Sequence, residues 1–266
     1  MNAASPSLVA GYQDESGLAA EIQTMRVDLA AAYRLIHRLG LDDSIYTHIS
    51  ARLPGGGHRF LINPYGMRFE EVTPENLVTV DIDGRVIEDP MGLGINPAGF
   101  TIHSAIHAAR HDAVCVLHTH TVAGVAVSCQ EEGLLPLNQW SMQFAGRLAY
   151  HAYEGIALDL DERQRLVADL GDKPVMVLRN HGLLTCGRTV GEAFRLMHNM
   201  ERSCRAQLAI QAAGAPVIRP SAAVATKTAG QYAAGYDRVV QGAPDNEWAA
   251  FKRMLARTDP DFFADD

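Results

Sequence analysis

The chain has 266 residues, of which 47% are hydrophobic and 20% are charged, and its formal net charge is −8 at pH 7. This length is sufficient for one large domain or two small ones with a substantial core, and the composition is that of a globular protein. The acidic balance, without any cluster of Lys and Arg, argues against a nucleic-acid-binding surface.

Residues 1–17 are mostly small and polar, which predicts a flexible N-terminal tail. They lack the basic region and apolar core of a signal peptide, and no segment is apolar for long enough to cross a bilayer. We therefore expect a cytoplasmic protein with no membrane partner. From about Leu18 to Leu39 the apolar side chains recur at helical spacing, and Gly40 is placed to end that helix.

Short runs rich in β-branched and apolar side chains predict strands over 45–52, 59–63 and 77–82. Before the third run, Thr73-Pro-Glu75 has the pattern of a helix N-cap followed by proline. Asn96-Pro97 opens a second helix in the same way, and we expect it to reach about Arg110. The later predictions are a strand over 113–119, a helix over 122–130, strand-like pieces around 148–153, a helix over 160–170, a strand over 175–179, a long helix over 189–214 and a short helix near 248–255.

Two histidines, His118 and His120, lie one residue apart at the end of the predicted strand 113–119. Side chains two residues apart share one face of a strand, so both imidazoles can bind one metal ion. His181 follows another strand-like run, and three histidines with an open fourth position are typical of a catalytic zinc or a related divalent metal. A His-x-His pair is more often structural, so the spacing alone leaves both interpretations open.

Four segments in a fixed order carry a resemblance to a known family, namely Asn96-Pro-Ala-Gly-Phe-Thr-Ile-His103, His118-Thr-His-Thr-Val-Ala-Gly124, Arg179-Asn-His-Gly-Leu183 and Gly187-Arg-Thr-Val-Gly-Glu-Ala-Phe194. Over roughly residues 20–215 the chain resembles the class II aldolase/adducin superfamily, most closely its adducin-like bacterial branch. The resemblance implies an α/β domain over 18–214 with three layers, α/β/α, around a mainly antiparallel sheet. A C-terminal extension follows over 215–266.

In the metal-dependent members of this family three histidines hold the metal, and they match His118, His120 and His181. The resemblance thus implies one divalent metal per subunit, zinc first, with iron, manganese or cobalt as alternatives. It also implies a homotetramer whose sites lie between subunits, with residues 215–266 packing at an interface. Tyr232 and Tyr236 are the candidates for a C-terminal tyrosine that completes a neighbouring site.

The chain also departs from the sugar-phosphate aldolases of the family. Their acid/base glutamate follows two serines, whereas the corresponding stretch here is Pro97-Ala-Gly99, so Gly99 stands in place of the glutamate. Their phosphate-binding Gly-Asn corresponds to Thr47-His48, and Pro64-Tyr-Gly66 replaces their serine-glycine loop. A phosphorylated sugar is therefore disfavoured as substrate.

Another group must then transfer the proton if the protein is an enzyme. The candidates are His48, in the place of the asparagine, His103, one helical turn after Gly99, and the phenols of Tyr65 and Tyr153. For each of these residues a structural hydrogen bond is the competing interpretation.

The resemblance favours a metal-dependent lyase that cleaves or forms a carbon–carbon bond in a small, non-phosphorylated hydroxy-carbonyl or keto-acid substrate. One alternative is an adducin-like assembly or binding protein without aldolase activity. Another is an iron-dependent oxygenase or decarboxylase of aromatic keto acids, since imidazole suits iron as well as zinc.

Overall fold

The structure is a computed structural model that describes residues 15–55, 57–155, 161–259 and 262. The strands are β1 (His48–Arg52), β2 (Arg59–Ile62), β3 (Val78–Asp81), β4 (Val86–Glu88), β5 (Cys115–Thr119), β6 (Leu148–His151), β7 (Val175–Leu178) and β8 (Gly182–Gly187). The helices are α1 (Glu15–Arg38), α2 (Pro97–Ala109), α3 (Val122–Ser128), α4 (Gln139–Met142), α5 (Glu162–Leu170), α6 (Val190–Ala213), α7 (Ala222–Val240) and α8 (Asn246–Thr258), with a 3-10 turn at Phe69–Glu71.

All eight strands form one sheet in the order β4-β3-β2-β1-β5-β8-β7-β6. Within the described residues every neighbouring pair is antiparallel except β6 and β7, which are parallel. Helices α1 and α6 cover one face of the sheet, and α2 and α5 cover the other. The predicted three-layer α/β/α architecture with a mainly antiparallel sheet is therefore confirmed.

Alternation along β5 assigns each of its side chains to one of two cores. Leu117 packs with α1 and α6, whereas Val116 packs with Ile102 and Ile106 of α2. His118 lies two residues after Val116 and therefore faces the α2 layer. The face that carries the candidate ligand is thus the face that α2 covers.

The helix start at Asn96 is confirmed, because its side chain accepts a hydrogen bond from the Ala98 N–H and Pro97 begins α2. The cap predicted at Thr73 is wrong. The Thr73 N–H donates to the Asn76 side chain at 2.9 Å, and this bond closes a turn directly before β3. The segment is too short for a helix, because the strand starts at Val78.

The sequence prediction also missed four elements, namely β4, β8, α4 and α7. Strand β8 was not predicted because it begins and ends with glycine and contains one β-branched residue, so it lacks the β-branched run that predicted strands over 113–119 and 175–179. The alanine-rich stretch after 215 forms α7, and α7 packs against α4 while α8 packs against α1. Leu160, the start predicted for α5, lies outside the described residues. No helix in the described part of the chain is both long and apolar enough to cross a membrane.

Tyr33 links α1 to the first two strands. Its buried hydroxyl oxygen accepts hydrogen bonds from the Ile49 N–H at 2.8 Å and from the Asn63 N–H at 3.1 Å. The hydroxyl proton faces two acceptors, the Ile49 carbonyl oxygen and the Asn63 Oδ1. Burial raises the pKa of Tyr33 well above its ordinary value, so the phenol stays protonated and can donate. One side chain thus satisfies backbone groups of two neighbouring chain segments.

We expect Tyr33→Phe to lower the free energy of unfolding by about 1–3 kcal/mol, because it leaves buried backbone N–H groups without an acceptor. Tyr153→Phe removes the same hydroxyl from a side chain that is 53% exposed, and we expect a change within about 0.5 kcal/mol. Urea unfolding of both variants measures the difference. Equal stability of the two variants would show that the Tyr33 hydroxyl does not stabilise this junction.

Candidate metal centre and cavity

Strand pairing brings the three predicted ligands together. His118 lies near the end of β5, His120 follows the strand, and His181 directly precedes β8. Since β5 and β8 are antiparallel with Thr119 opposite Leu183, the end of one meets the start of the other. Gly182 permits this approach, because a Cβ there would lie 2.3 Å from the Thr119 carbonyl oxygen.

The Nε2 atoms of the three rings converge. His120 Nε2 lies 2.8 Å from His118 Nε2 and 2.9 Å from His181 Nε2. The opposite nitrogens of two rings face acceptors: His118 Nδ1 lies 2.9 Å from the Leu183 carbonyl oxygen, and His120 Nδ1 lies 2.9 Å from a carboxylate oxygen of Asp43. Both Nδ1 atoms therefore donate a proton to these acceptors, and the Nε2 atoms of the two rings face each other.

Two lone pairs at this separation repel each other unless a proton or a cation lies between them. A proton is disfavoured, because burial, with added repulsion from the neighbouring imidazoles, lowers the pKa of His118 well below 6.5. Burial and the nearby His120 lower the pKa of His181 to about 4. The donor set therefore fits a metal ion that takes neutral imidazole ligands.

Sequence reasoning did not identify Asp43, which contacts the candidate ligand His120. It lies in the loop before β1 and no motif marks it, since its role depends on a contact with His120, which lies far away in the sequence. A carboxylate behind a ligating imidazole fixes the ring orientation and makes the other nitrogen a better donor.

A cavity of about 440 Å³ opens beside these histidines. Its walls consist of Tyr46, Thr47, His48, Tyr65, Asn96, Ala98, Ile102, His118, His120, Tyr153, Gly155 and His181. The volume suits a small molecule. None of the described wall residues is Lys or Arg, so this part of the chain offers no side-chain cation for a phosphate group.

Thr47 is an unusual residue in this wall. Its φ of 28° lies in the left-handed region, which a β-branched residue rarely adopts. Its buried hydroxyl has no hydrogen-bond partner among the described residues. Backbone strain and an unpaired polar group are both typical of binding sites, where a ligand can complete the contacts.

The structure places the four other candidates differently. His48, Tyr65 and Tyr153 line the cavity, and the Tyr153 ring lies 6.2 Å from the His181 ring. His103 is fully buried behind His48 and does not form part of the wall. Tyr46, which sequence reasoning did not single out, does line the cavity.

The two C-terminal tyrosines do not line the cavity of their own chain. Tyr236 is buried beneath the Arg195 guanidinium, and the Tyr232 hydroxyl lies 3.5 Å from the Gln139 amide. A role for either tyrosine in a neighbouring site stays a prediction.

Gly99 and His48 fit together. A Cβ at position 99 would lie 2.3 Å from His48 Cδ2 and 2.6 Å from His48 Nε2. The imidazole thus occupies the space in which any larger residue at position 99 would begin its side chain. The two departures from the aldolase pattern, glycine for glutamate and histidine for asparagine, are therefore sterically coupled.

A chain of buried polar groups runs from His48 into the α2 layer. His48 Nδ1 lies 2.8 Å from His103 Nε2, and His103 Nδ1 lies 2.6 Å from the Ser50 hydroxyl. The same hydroxyl lies 2.7 Å from His107 Nε2, and His107 Nδ1 lies 3.1 Å from the Ala113 carbonyl oxygen. We call these four side chains, His48, His103, Ser50 and His107, the histidine chain.

A second group of possible ligands, His37, Asp42 and Glu70, lies elsewhere in the described structure. His37 Nδ1 lies 2.9 Å from an Asp42 oxygen and 2.7 Å from a Glu70 oxygen, so both carboxylates meet the same ring nitrogen. These contacts all share one ring nitrogen, whereas the first group directs three separate nitrogens at one point.

We expect Gly99→Ala to lower the free energy of unfolding by about 1–3 kcal/mol, because the new methyl group collides with the His48 ring. Gly230→Ala in α7 is the matched control, since a Cβ there has nothing within 4 Å. Alanine in that helix is expected to stabilise by up to about 1 kcal/mol. Thermal and urea unfolding measure both variants. Stabilisation by both substitutions would contradict the close contact of Gly99 with His48.

We also expect the protein to lose stability as the pH falls below about 6.5. Burial, with the nearby Arg52 charge, lowers the pKa of His107 to about 3. The unfolded chain therefore takes up this proton first, and each such histidine reduces the free energy of unfolding by up to about 1.4 kcal/mol per pH unit. Urea unfolding at several pH values measures the slope. His107→Gln should reduce that slope by the contribution of one titrating histidine. An unchanged slope would contradict the lowered pKa of His107.

Comparison with known proteins places this chain in a family. The sequence profile described as Class II Aldolase and Adducin N-terminal domain matches residues 27–208. The crystal structure of an aldolase II superfamily protein from Pseudomonas syringae is 52% identical and covers 91% of this chain and 96% of its own, with a TM-score of 0.82. An L-fuculose 1-phosphate aldolase from Glaciozyma antarctica is 28% identical and covers 95% of this chain and 96% of its own, with a TM-score of 0.78.

Alpha-adducin of Rattus norvegicus is 44% identical over 195 residues, which are 72% of this chain and 26% of that protein. The likeness to adducin therefore concerns one part of a much longer protein. Together with the matched profile, these similarities confirm the predicted resemblance. The chain belongs to the class II aldolase/adducin family.

Proposed function

We propose that the protein is a divalent-metal-dependent lyase that makes or breaks a carbon–carbon bond next to a carbonyl group. Its substrate is a small, non-phosphorylated hydroxy-carbonyl compound or keto acid. The observation that carries this proposal is the convergence of the Nε2 atoms of His118, His120 and His181 on one point of the cavity wall. Membership of the class II aldolase/adducin family supports it.

The three imidazoles would hold the metal and leave a further coordination position on the cavity side. A metal bound there supplies Lewis-acid chemistry, which polarises a carbonyl and stabilises the negative charge that develops beside it. Asp43 and the Leu183 carbonyl hold two of the rings in the orientation that this requires. Zinc suits the neutral donor set, and iron, manganese and cobalt accept the same ligands.

The wall chemistry supports a substrate without a phosphate group. Phosphate sites in proteins rely on Arg, Lys or several backbone N–H groups directed at the anion. The described walls carry neither Arg nor Lys, and His48 occupies the place at which the sugar-phosphate aldolases have an asparagine. A neutral hydroxyl or a carboxylate near the metal is the better match.

We expect the purified protein to contain about one divalent metal per subunit. His120→Ala should remove most of this metal, because it deletes the ring between the other two ligands, and Asp43→Asn should weaken binding about 10- to 100-fold. Elemental analysis and equilibrium dialysis with Zn²⁺ measure both effects. Exposed His111 lies away from the cavity, so His111→Ala is the control and should keep the metal. A metal-free wild-type protein, or a His120→Ala variant that retains its metal, would contradict the proposal.

Activity is tested by retro-aldol screening of hydroxy-keto acids, with detection of the released carbonyl compounds. We expect EDTA to abolish turnover and Zn²⁺ to restore it. The iron-dependent oxygenase is the alternative that the same ligands permit. If the protein consumes oxygen in the presence of Fe²⁺ and aryl pyruvates and forms no retro-aldol product, it is an oxygenase and the lyase proposal is wrong.

The similarity to alpha-adducin favours a second candidate, an assembly or binding role for the same domain. In that case His120→Ala would alter stability alone, and no substrate of the screen would turn over.

We further propose that the protein is a homotetramer with residues 215–266 at a subunit interface. Light scattering of the purified protein measures the subunit number.

A further inference from the structure

We propose that His48 Nε2 accepts a hydrogen bond from a hydroxyl group of the substrate, and that the Ala113 carbonyl fixes this acceptor role through the histidine chain. His48 is then a specificity-determining residue, while Ser50, His103 and His107 are positioning residues. This inference deepens the proposed function and rests on it, because it names the group that the substrate presents beside the metal.

The direction of the hydrogen bonds is set at the far end of the histidine chain. A peptide carbonyl can only accept, so His107 Nδ1 donates to the Ala113 oxygen. Burial keeps His107 neutral by lowering its pKa to about 3, and a neutral ring has a proton on one nitrogen only. His107 Nε2 is therefore an acceptor, and the Ser50 hydroxyl must donate to it.

The remaining steps follow from the single proton of the hydroxyl group. Because Ser50 donates to His107, its oxygen accepts from His103 Nδ1. Burial lowers the pKa of His103 well below 6.5, so this ring is neutral as well and its Nε2 accepts from His48 Nδ1. In the opposite direction His107 would carry its proton on Nε2, and its Nδ1 lone pair would then face the Ala113 carbonyl oxygen, so that two acceptors would meet without a proton between them.

At the near end, the proton of the His48 ring lies on Nδ1, so Nε2 carries a lone pair. This nitrogen makes no hydrogen bond to any residue that the structure describes, although His48 itself is only 4% exposed and lines the cavity. The buried Thr47 hydroxyl next to it in the wall also has no partner within the described residues. Two neighbouring polar groups of the cavity wall are thus available to a ligand, and His48 Nε2 can act only as a hydrogen-bond acceptor.

A bare ring nitrogen selects the chemistry of its ligand. A hydroxyl or N–H group can donate to it, whereas a keto oxygen, a carboxylate or a phosphate oxygen would place lone pair against lone pair. Sites built to bind a hydroxyl group reject analogues that lack it, since the buried acceptor is then left unpaired. The cavity should therefore bind a substrate with a hydroxyl group beyond the one that the metal binds.

The first experiment measures the tautomer directly, by ¹⁵N NMR of the histidine rings of the full-length protein without added ligand. We expect His48 to carry its proton on Nδ1. Ser50→Ala should produce a population protonated on Nε2, because the link between His103 and His107 is lost. Ser203→Ala is the matched control, since it removes an equally buried hydroxyl that bonds to Asn199 instead. A wild-type His48 protonated on Nε2, or a tautomer unchanged in Ser50→Ala, would overturn the proposal.

The second experiment measures selectivity in the Zn²⁺-loaded protein with two probes, dihydroxyacetone and hydroxyacetone. Both offer a hydroxyl and a carbonyl to the metal, but only the first has a second hydroxyl for His48. We expect wild type and Ser203→Ala to bind dihydroxyacetone about ten-fold more tightly, and Ser50→Ala to bind the two probes about equally.

The outcomes separate this inference from the function on which it rests. Equal binding of both probes by wild type would overturn the role of His48 and leave the metal site intact. If neither probe binds and no metal is retained, the proposed function fails. The tautomer measurement, which needs neither metal nor ligand, then shows whether the histidine chain has the stated direction.

Discussion

Two peptide carbonyls, one in strand β8 and one just before strand β5, determine which ring nitrogen carries the proton in His118 and in His107. A carbonyl oxygen can only accept, so the Leu183 oxygen places the His118 proton on Nδ1, and the Ala113 oxygen does the same for His107. The first constraint acts directly on the candidate metal centre. The second is transmitted through Ser50 and His103 to His48. Backbone geometry thus sets which nitrogen of these histidines donates and which one accepts.

The pairing of β1 with β5 is what joins the two histidine systems. His48 lies opposite His118 in this register, and Ser50 lies opposite Val116, so both residues of β1 face the layer formed by α2. Gly99 completes the arrangement, because a larger residue at this position of α2 would displace His48. The glycine at position 99 and the histidine at position 48 are therefore sterically linked.

The sequence predicted the fold class, most element positions and the candidate ligands, for identifiable reasons. Period-two alternation placed His118 and His120 on one face, and family motifs added His181. Strand β8 was missed because it begins and ends with glycine and has one β-branched residue. Thr73 resembled a helix cap, although it closes a turn with Asn76. Asp43 and the direction of the histidine chain depend on contacts between distant segments, which no local pattern records.

The exchange of a carboxylate for an imidazole also alters the charge of the proposed site. A glutamate beside a divalent ion would cancel part of its charge. Burial lowers the pKa values of His48, His118 and His181 below 6.5, so these three rings are neutral, and Asp43 lies behind His120. In the proposed function the metal is then the dominant positive charge of a cavity whose described walls contain no Lys or Arg. This positive charge favours a substrate with a negatively charged group, such as the carboxylate of a keto acid. The neutral acceptor of His48 recognises the hydroxyl of the same molecule.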